Sequence, residues 1–197
     1  MGVTAELGLK RKLMGLSNIS LLQPDSERLR EDAGAKSVSF FVLRRPVKID
    51  AAVIGELKEV SERRGGSNVR VCLHAGPDAV HHDMIILENQ GKYYRPHKHD
   101  DKGEAFHIIE GRMGIFAFDE SGAVIDAVVL EPQEIYRVEA GMYHAVLPLT
   151  DRVIYHENKP GPFTGEGDSI FPEWAPDGTN NEEVAAYVAA LRSRINV

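Results

Sequence analysis

One cysteine and one tryptophan occur in 197 residues. The single Cys72 cannot close an intramolecular disulfide or build a cysteine-based zinc site, and this usage suits a reducing compartment. Positive charge is also scarce: 23 Lys and Arg stand against 30 Asp and Glu, for a net charge of -7. The longest basic run is "KRK" at Lys10 to Lys12, so nucleic acid and acidic membrane surfaces are poor partners. A small, neutral or metal-tethered ligand is easier to accommodate. No apolar run approaches the roughly 18 residues of a membrane span, and "MGVTAELGLKRKL" lacks the apolar core of a secretion signal. Glu6 stands where a myristoylation signal wants Ser or Thr. The expectation is a soluble cytoplasmic protein. G-x-S-x-G, phosphate-loop, HExxH and CxxC motifs are missing, which removes the common hydrolase, triphosphatase and redox readings. "GEGDSI" at Gly165 has Ile170 where a dinucleotide loop needs its third glycine.

What is present is enough for one core: 43% of residues are hydrophobic. Residues 1–37 read as an extension, with a short helix over Thr4 to Met14, suited to an arm that packs on a partner subunit. "VSFFVL" from Val38 suits a strand. "DAAVIGELKEVSERRGG" suits a helix with Asp50 as N-cap, Val53, Ile54, Leu57 and Val60 on one face, and Gly65-Gly66 as the stop. These make a segment over 38–66. From 67 to 178 short β-branched runs alternate with turn residues, including a hairpin around "DESG", which predicts an all-β sandwich or jelly roll. Residues 179–197 form a final helix, with an Asn181 cap and Val184, Tyr187, Val188, Leu191 and Ile195 at helical spacing.

The chemistry gathers in "YYRPHKHDDKGEAF". Side chains two apart on a strand share a side, so His97 and His99 project together. "DDKG" is turn chemistry, with Gly103 free to take positive φ, and it would return Glu104 beside the histidines. Asp100 and Asp101 are explained by that turn. His144, after the Gly141 turn, supplies a fourth ligand. Nitrogen and oxygen donors without sulfur suit one divalent transition metal, Fe, Mn, Ni, Co or Zn, without choosing among them.

Gly91, His97, His99, Glu104 and Gly111 reproduce the first cupin motif, G(X)5HXH(X)4E(X)6G, at every fixed position. Of the second motif, G(X)5PXG(X)2H(X)3N, Gly141 and His144 match, while Gln133, Glu139 and Pro148 depart from it. From Val69 to Asp177 the chain more closely resembles the WbuC-type cupin-fold metalloproteins, through "RVCLH", "YYRPHKH", "FHIIEGRMGIFAFDESG", "GPF" and "FPEWAPDG". The resemblance implies an all-β cupin jelly-roll barrel flanked by N- and C-terminal helices, a bound metal, a homodimer and a link to bacterial surface-polysaccharide biosynthesis. It does not imply a reaction.

Other residues are candidates for contact with a substrate. Alternation in "RVCLH" puts Arg70 and His74 on one side, lining a polar pocket or facing solvent. His82 falls near a pocket mouth, since His81 and His82 face opposite ways. Phe106 shares the face of Glu104, whereas His107 points away. Tyr93, Tyr136 and Tyr143 could donate hydrogen bonds to a polyhydroxylated molecule or pack in the core, and the candidate base is Tyr143, Tyr136 or an acidic residue at the pocket rim. Three readings follow: a metal-dependent isomerase or epimerase on a sugar or sugar nucleotide, an Fe(II) dioxygenase on a small polar substrate, or a non-catalytic binder of a small ligand.

Overall fold

The computed structural model describes residues 17–196. The helix expected over Thr4 to Met14 lies outside them. In chain order the elements are β1 (Leu29–Glu31), β2 (Val38–Val42), α1 (Ala51–Arg63), β3 (Val69–Cys72), β4 (His81–Asn89), β5 (Glu104–Glu110), β6 (Met113–Phe118), β7 (Val124–Leu130), β8 (Ile135–Val138), β9 (Tyr143–Pro148), β10 (Arg152–Pro160) and α2 (Asn181–Arg194). A 3-10 turn occupies Gly165–Asp168. The described chain is mostly β with two helices.

The strands form a seven-stranded sheet, β1-β2-β3-β4-β10-β5-β8, and a three-stranded sheet, β7-β6-β9. Pairing is antiparallel except between β2 and β3, whose parallel register is made possible by α1 as the crossover. β1 and β2 therefore continue the same sheet as the barrel strands that follow.

Period-two alternation explains the layering. On one face of the large sheet, Val69, Val71, Ile85, Leu87 and Ile154 pack beneath Val53, Ile54, Leu57 and Val60 of α1. On the other face Phe106, Ile108, Val153 and Tyr155 meet Met113 and Ile115 of the small sheet. The outer face of the small sheet, Phe116, Phe118, Tyr143, Ala145 and Leu147, is covered by α2 through Leu191. The inner faces of the two sheets enclose the space into which the metal-ligand candidates point.

Both helices begin on side-chain caps. The Asp50 carboxylate accepts from the amides of Ala52 and Val53, as expected. In α2 the cap is Asn180 rather than Asn181, because the Asn180 carbonyl is the one that reaches the amides of Glu182 and Glu183.

Gly111, which ends the first cupin motif, turns β5 into β6 at φ +81°, and a Cβ there would meet the Arg152 carbonyl oxygen at 2.5 Å and Thr150 Oγ1 at 2.7 Å. Gly111→Ala is expected to cost roughly 1–3 kcal/mol from the left-handed backbone, with the clash added. A fall in the urea midpoint at unchanged slope is the check, and an unchanged midpoint would show that the turn relaxes freely.

Candidate metal centre

The His97–His99 segment is not part of a regular strand. His97 pairs with His144 through two backbone hydrogen bonds of 3.0 and 2.9 Å, Lys98 pairs with Ile170, and the Gly141 amide donates to the His99 carbonyl at 2.7 Å. Extended geometry still sends His97 and His99 the same way. Glu104 does not fold back on this segment as the turn chemistry suggested: it sits on β5, between β10 and β8 of the large sheet. Gly103 also differs from expectation. It is absent from the positive-φ residues, and its small size serves close approach, since a Cβ would lie 2.8 Å from the Val138 carbonyl oxygen. The ligand candidates thus arrive from both sheets: Glu104 from the large one, and the histidines from β9 and the segment paired with it.

Ligand atoms of His97, His99 and Glu104 all lie within 4.8 Å of one another. His99 Nε2 is 2.6 Å from Glu104 Oε1, and His144 Nε2 is 3.2 Å from Glu104 Oε2. Each imidazole also has Nδ1 against a backbone carbonyl: His97 on Arg95 at 3.3 Å, His144 on Met142 at 3.0 Å and His99 on Asp168. With a metal bound, a ring that donates from Nδ1 would offer its Nε2 lone pair, the form a ligand needs; in the metal-free chain the Nε2 atoms of His99 and His144 face the Glu104 oxygens instead. Burial, reinforced by the neighbouring His144, pushes His97 down to about 3, so the ring is neutral. Burial alone would raise Glu104, but hydrogen bonds from His144 and His99 and the charge of Lys159 outweigh it and hold the carboxyl well below the usual range. Three imidazole nitrogens and one carboxylate fit a borderline divalent ion.

No local signal in the sequence marks Lys159. Its ammonium donates to Glu104 Oε1 at 2.6 Å, stands 3.3 Å from His99 Nε2 and lies 3.7 Å from Glu157 Oε1. Alternation from Tyr155 along β10 places Glu157 and Lys159 on the inner face. Asp168 and Lys102 were missed too, since "GEGDSI" was tested only as a dinucleotide loop. The buried Lys102 ammonium bonds both Asp168 and the Pro162 carbonyl, fixing the loop whose carbonyl orients His99.

The other candidates divide. Phe106 lies beside the cluster, its ring 6.1 Å from that of His144. Arg70 and Tyr93 line a cavity bordered also by Glu157, although the Tyr93 hydroxyl is committed to the Pro176 carbonyl at 2.8 Å. His74 and His82 are both buried and stacked, ring centroids 4.2 Å apart, with His82 bonded to the Pro77 carbonyl. His81 is exposed, as alternation requires. Tyr143 faces away from His144, wedged against Trp174 and beneath Lys98. Tyr136 donates to Asp126 at 2.7 Å. The structure brings neither tyrosine hydroxyl to the histidine cluster.

A family described as a domain of unknown function (DUF6016) matches residues 49–130, a stretch that holds His97, His99 and Glu104 and stops before His144. No curated protein matches the sequence. Among solved structures, CapF in complex with the inhibitor 3-isopropenyl-tropolone is similar at 19% identity over 54% of this chain and 31% of CapF, with a TM-score of 0.46. This chain thus spans about a third of CapF. The Schizosaccharomyces pombe Cnp3 cupin domain is similar at 10% identity over 47% of this chain and 64% of that domain, with a TM-score of 0.40. KdgF from Halomonas sp. is similar at 15% identity over 48% of this chain and 78% of KdgF, also with a TM-score of 0.40.

Proposed function

We propose that this chain is a cupin-type metalloprotein that holds one divalent transition metal through His97, His99, Glu104 and His144 and isomerises or epimerises a sugar or sugar nucleotide. The observation that carries the reading is the tautomer-fixing arrangement: three buried or half-buried imidazoles with Nδ1 on backbone carbonyls, gathered around one buried carboxylate. A divalent metal there would supply Lewis acidity toward a keto-alcohol. The chain's own residues supply the rest. Glu157 borders the cavity and exchanges the proton: burial, and then the charge of Glu104, raises its pKa, which moves a carboxyl toward the range useful for acid–base work. Lys159 bridges Glu157 and Glu104, and can take up either carboxylate's charge. A surface-polysaccharide role and a homodimer belong to the same proposal.

A second reading draws on Lys159 itself. An ammonium already seated on Glu104 satisfies the carboxylate without a metal, which suits a binding protein whose cluster is a permanent ion network.

Elemental analysis of purified wild-type protein and His144→Ala, run in parallel without added metal, separates the two. One equivalent of iron, manganese, nickel, cobalt or zinc in the wild type, lost in the variant, supports the metalloprotein. Wild type that stays metal-free after reconstitution leaves the ion network.

A further inference from the structure

A cavity of about 670 Å³ opens between the chain around Asp32 to Ser37 and the Tyr93-Tyr94 pair, with its floor on β3, β4 and β10. None of the four metal-ligand candidates lines it. Such a volume is that of a small-molecule site, and its floor carries polar atoms that the protein leaves unmatched. Glu88 is only 6% exposed: its Oε1 accepts from Tyr155 at 3.0 Å, while Oε2 is buried without a partner among the described residues. Arg70 Nε is likewise buried and unpartnered, and among the described residues Arg70 forms no ion pair. Leaving such groups unpaired costs on the order of 1–3 kcal/mol each, and buried polar atoms are almost always matched by something.

The unmatched atoms differ in chemistry. Arg70 presents a permanent cation with fork geometry suited to a carboxylate. Burial raises Glu88 to about 7, with the Tyr155 hydrogen bond opposing, so its carboxyl can donate to or accept from a hydroxyl group. Around these two the lining is balanced in charge, Glu31, Asp32 and Glu157 against Lys36, Arg64 and Lys92, so beyond Arg70 no net charge favours a dianion such as a phosphate ester over a single carboxylate. We infer that the cavity binds a small polyhydroxylated carboxylic acid, its carboxylate on Arg70 and its hydroxyls on Glu88. This site is independent of the reading above, since none of the metal-ligand candidates lines the cavity. Binding itself needs no metal.

The test is calorimetric titration of chelator-treated protein with gluconate and its stereoisomeric hexonates, with glucitol, which replaces the carboxylate by a hydroxymethyl group, with hexanoate, which lacks the hydroxyls, and with glucose 6-phosphate. At least one hexonate should bind more tightly than the other three classes. Arg70→Gln should weaken it roughly 10- to 100-fold, the range for a lost hydrogen bond to a charged group. Glu88→Leu, which removes the hydroxyl partner, should also weaken it several-fold, and urea midpoints of both variants check that the floor still folds. Binding to His144→Ala should match wild type. No binding by any hexonate, preference for glucitol or the phosphate, or a hexonate affinity lost in His144→Ala but kept in Arg70→Gln would each overturn the assignment. Because every arm is metal-free, failure here leaves the metal analysis untouched, and a metal-free wild type leaves this result standing.

Discussion

Glu104→Gln is expected to abolish stoichiometric metal binding and also to destabilise the chelator-treated protein by about 3–5 kcal/mol, the usual cost of breaking one side of a buried ion pair. The two effects have separate origins. Glu104 is the only anion in the four-residue ligand set, so the amide removes the charge that balances a dication. In the metal-free state the same carboxylate carries Lys159 at 2.6 Å, His99 at 2.6 Å and His144 at 3.2 Å. Gln retains the shape but cannot compensate a buried ammonium. Urea unfolding of the chelated proteins measures the second effect, and the double variant Glu104→Gln, Lys159→Met should recover part of the loss by removing the stranded charge. If chelated Glu104→Gln unfolds within about 1 kcal/mol of wild type, a margin typical of an exposed pair, the buried network is not holding the two sheets together.

That network shows where sequence reasoning reached and where it stopped. The spacing of His97, His99 and Glu104 was legible because a two-residue alternation survives even in an irregular extended segment. The helix of Ala51–Arg63 was legible from its cap and its apolar face. What could not be read was which strand each residue would pair with. His97 meets His144, 47 positions away by number, only because β9 lies beside its segment in space. Lys159 meets Glu104 because β10 lies between β4 and β5. Neither pairing leaves a local mark. The Arg70 ambiguity had the same source: alternation fixed its side of β3, but whether that side met solvent or a cavity depended on β10 and the Tyr93-Tyr94 segment closing over it. In the proposed mechanism the proton falls to Glu157, an acid at the cavity rim, rather than to Tyr143 or Tyr136, for the same reason. Tyr143 sits next to His144 in sequence, yet adjacent strand residues face opposite ways.

Acid is expected to destabilise the metal-free protein more steeply below about pH 4.5 than between about 4.5 and 6.5. His97 is pushed down to about 3 by burial and then by His144, and His74 to about 4 by burial and then by the stacked His82. A histidine whose folded pKa is depressed favours the folded state above its unfolded value near 6.5, and that contribution is lost as pH falls toward the folded value. Glu88 runs the other way. Its folded pKa is raised to about 7 by burial, so its contribution is complete below the unfolded value and disappears as pH rises through 7. Glu157, raised by burial and by Glu104, acts in the same sense. Between about 4.5 and 6.5 Glu88, joined in direction by Glu157, opposes the histidines, among them His82, which burial also lowers. Below about 4.5 both carboxyls are protonated in either state and stop opposing, while His97 still takes up its proton only on unfolding. Glu104, held low by its hydrogen bonds against the effect of burial, joins it. Each such proton adds about 1.4 kcal/mol of loss per pH unit. Urea midpoints across the range test this, with Glu88→Gln as the control that removes one opposing group: between 4.5 and 6.5 its stability should rise with pH more steeply than that of wild type. A wild-type profile that falls smoothly from pH 7, unchanged in shape by Glu88→Gln, would mean that these buried groups titrate like exposed ones.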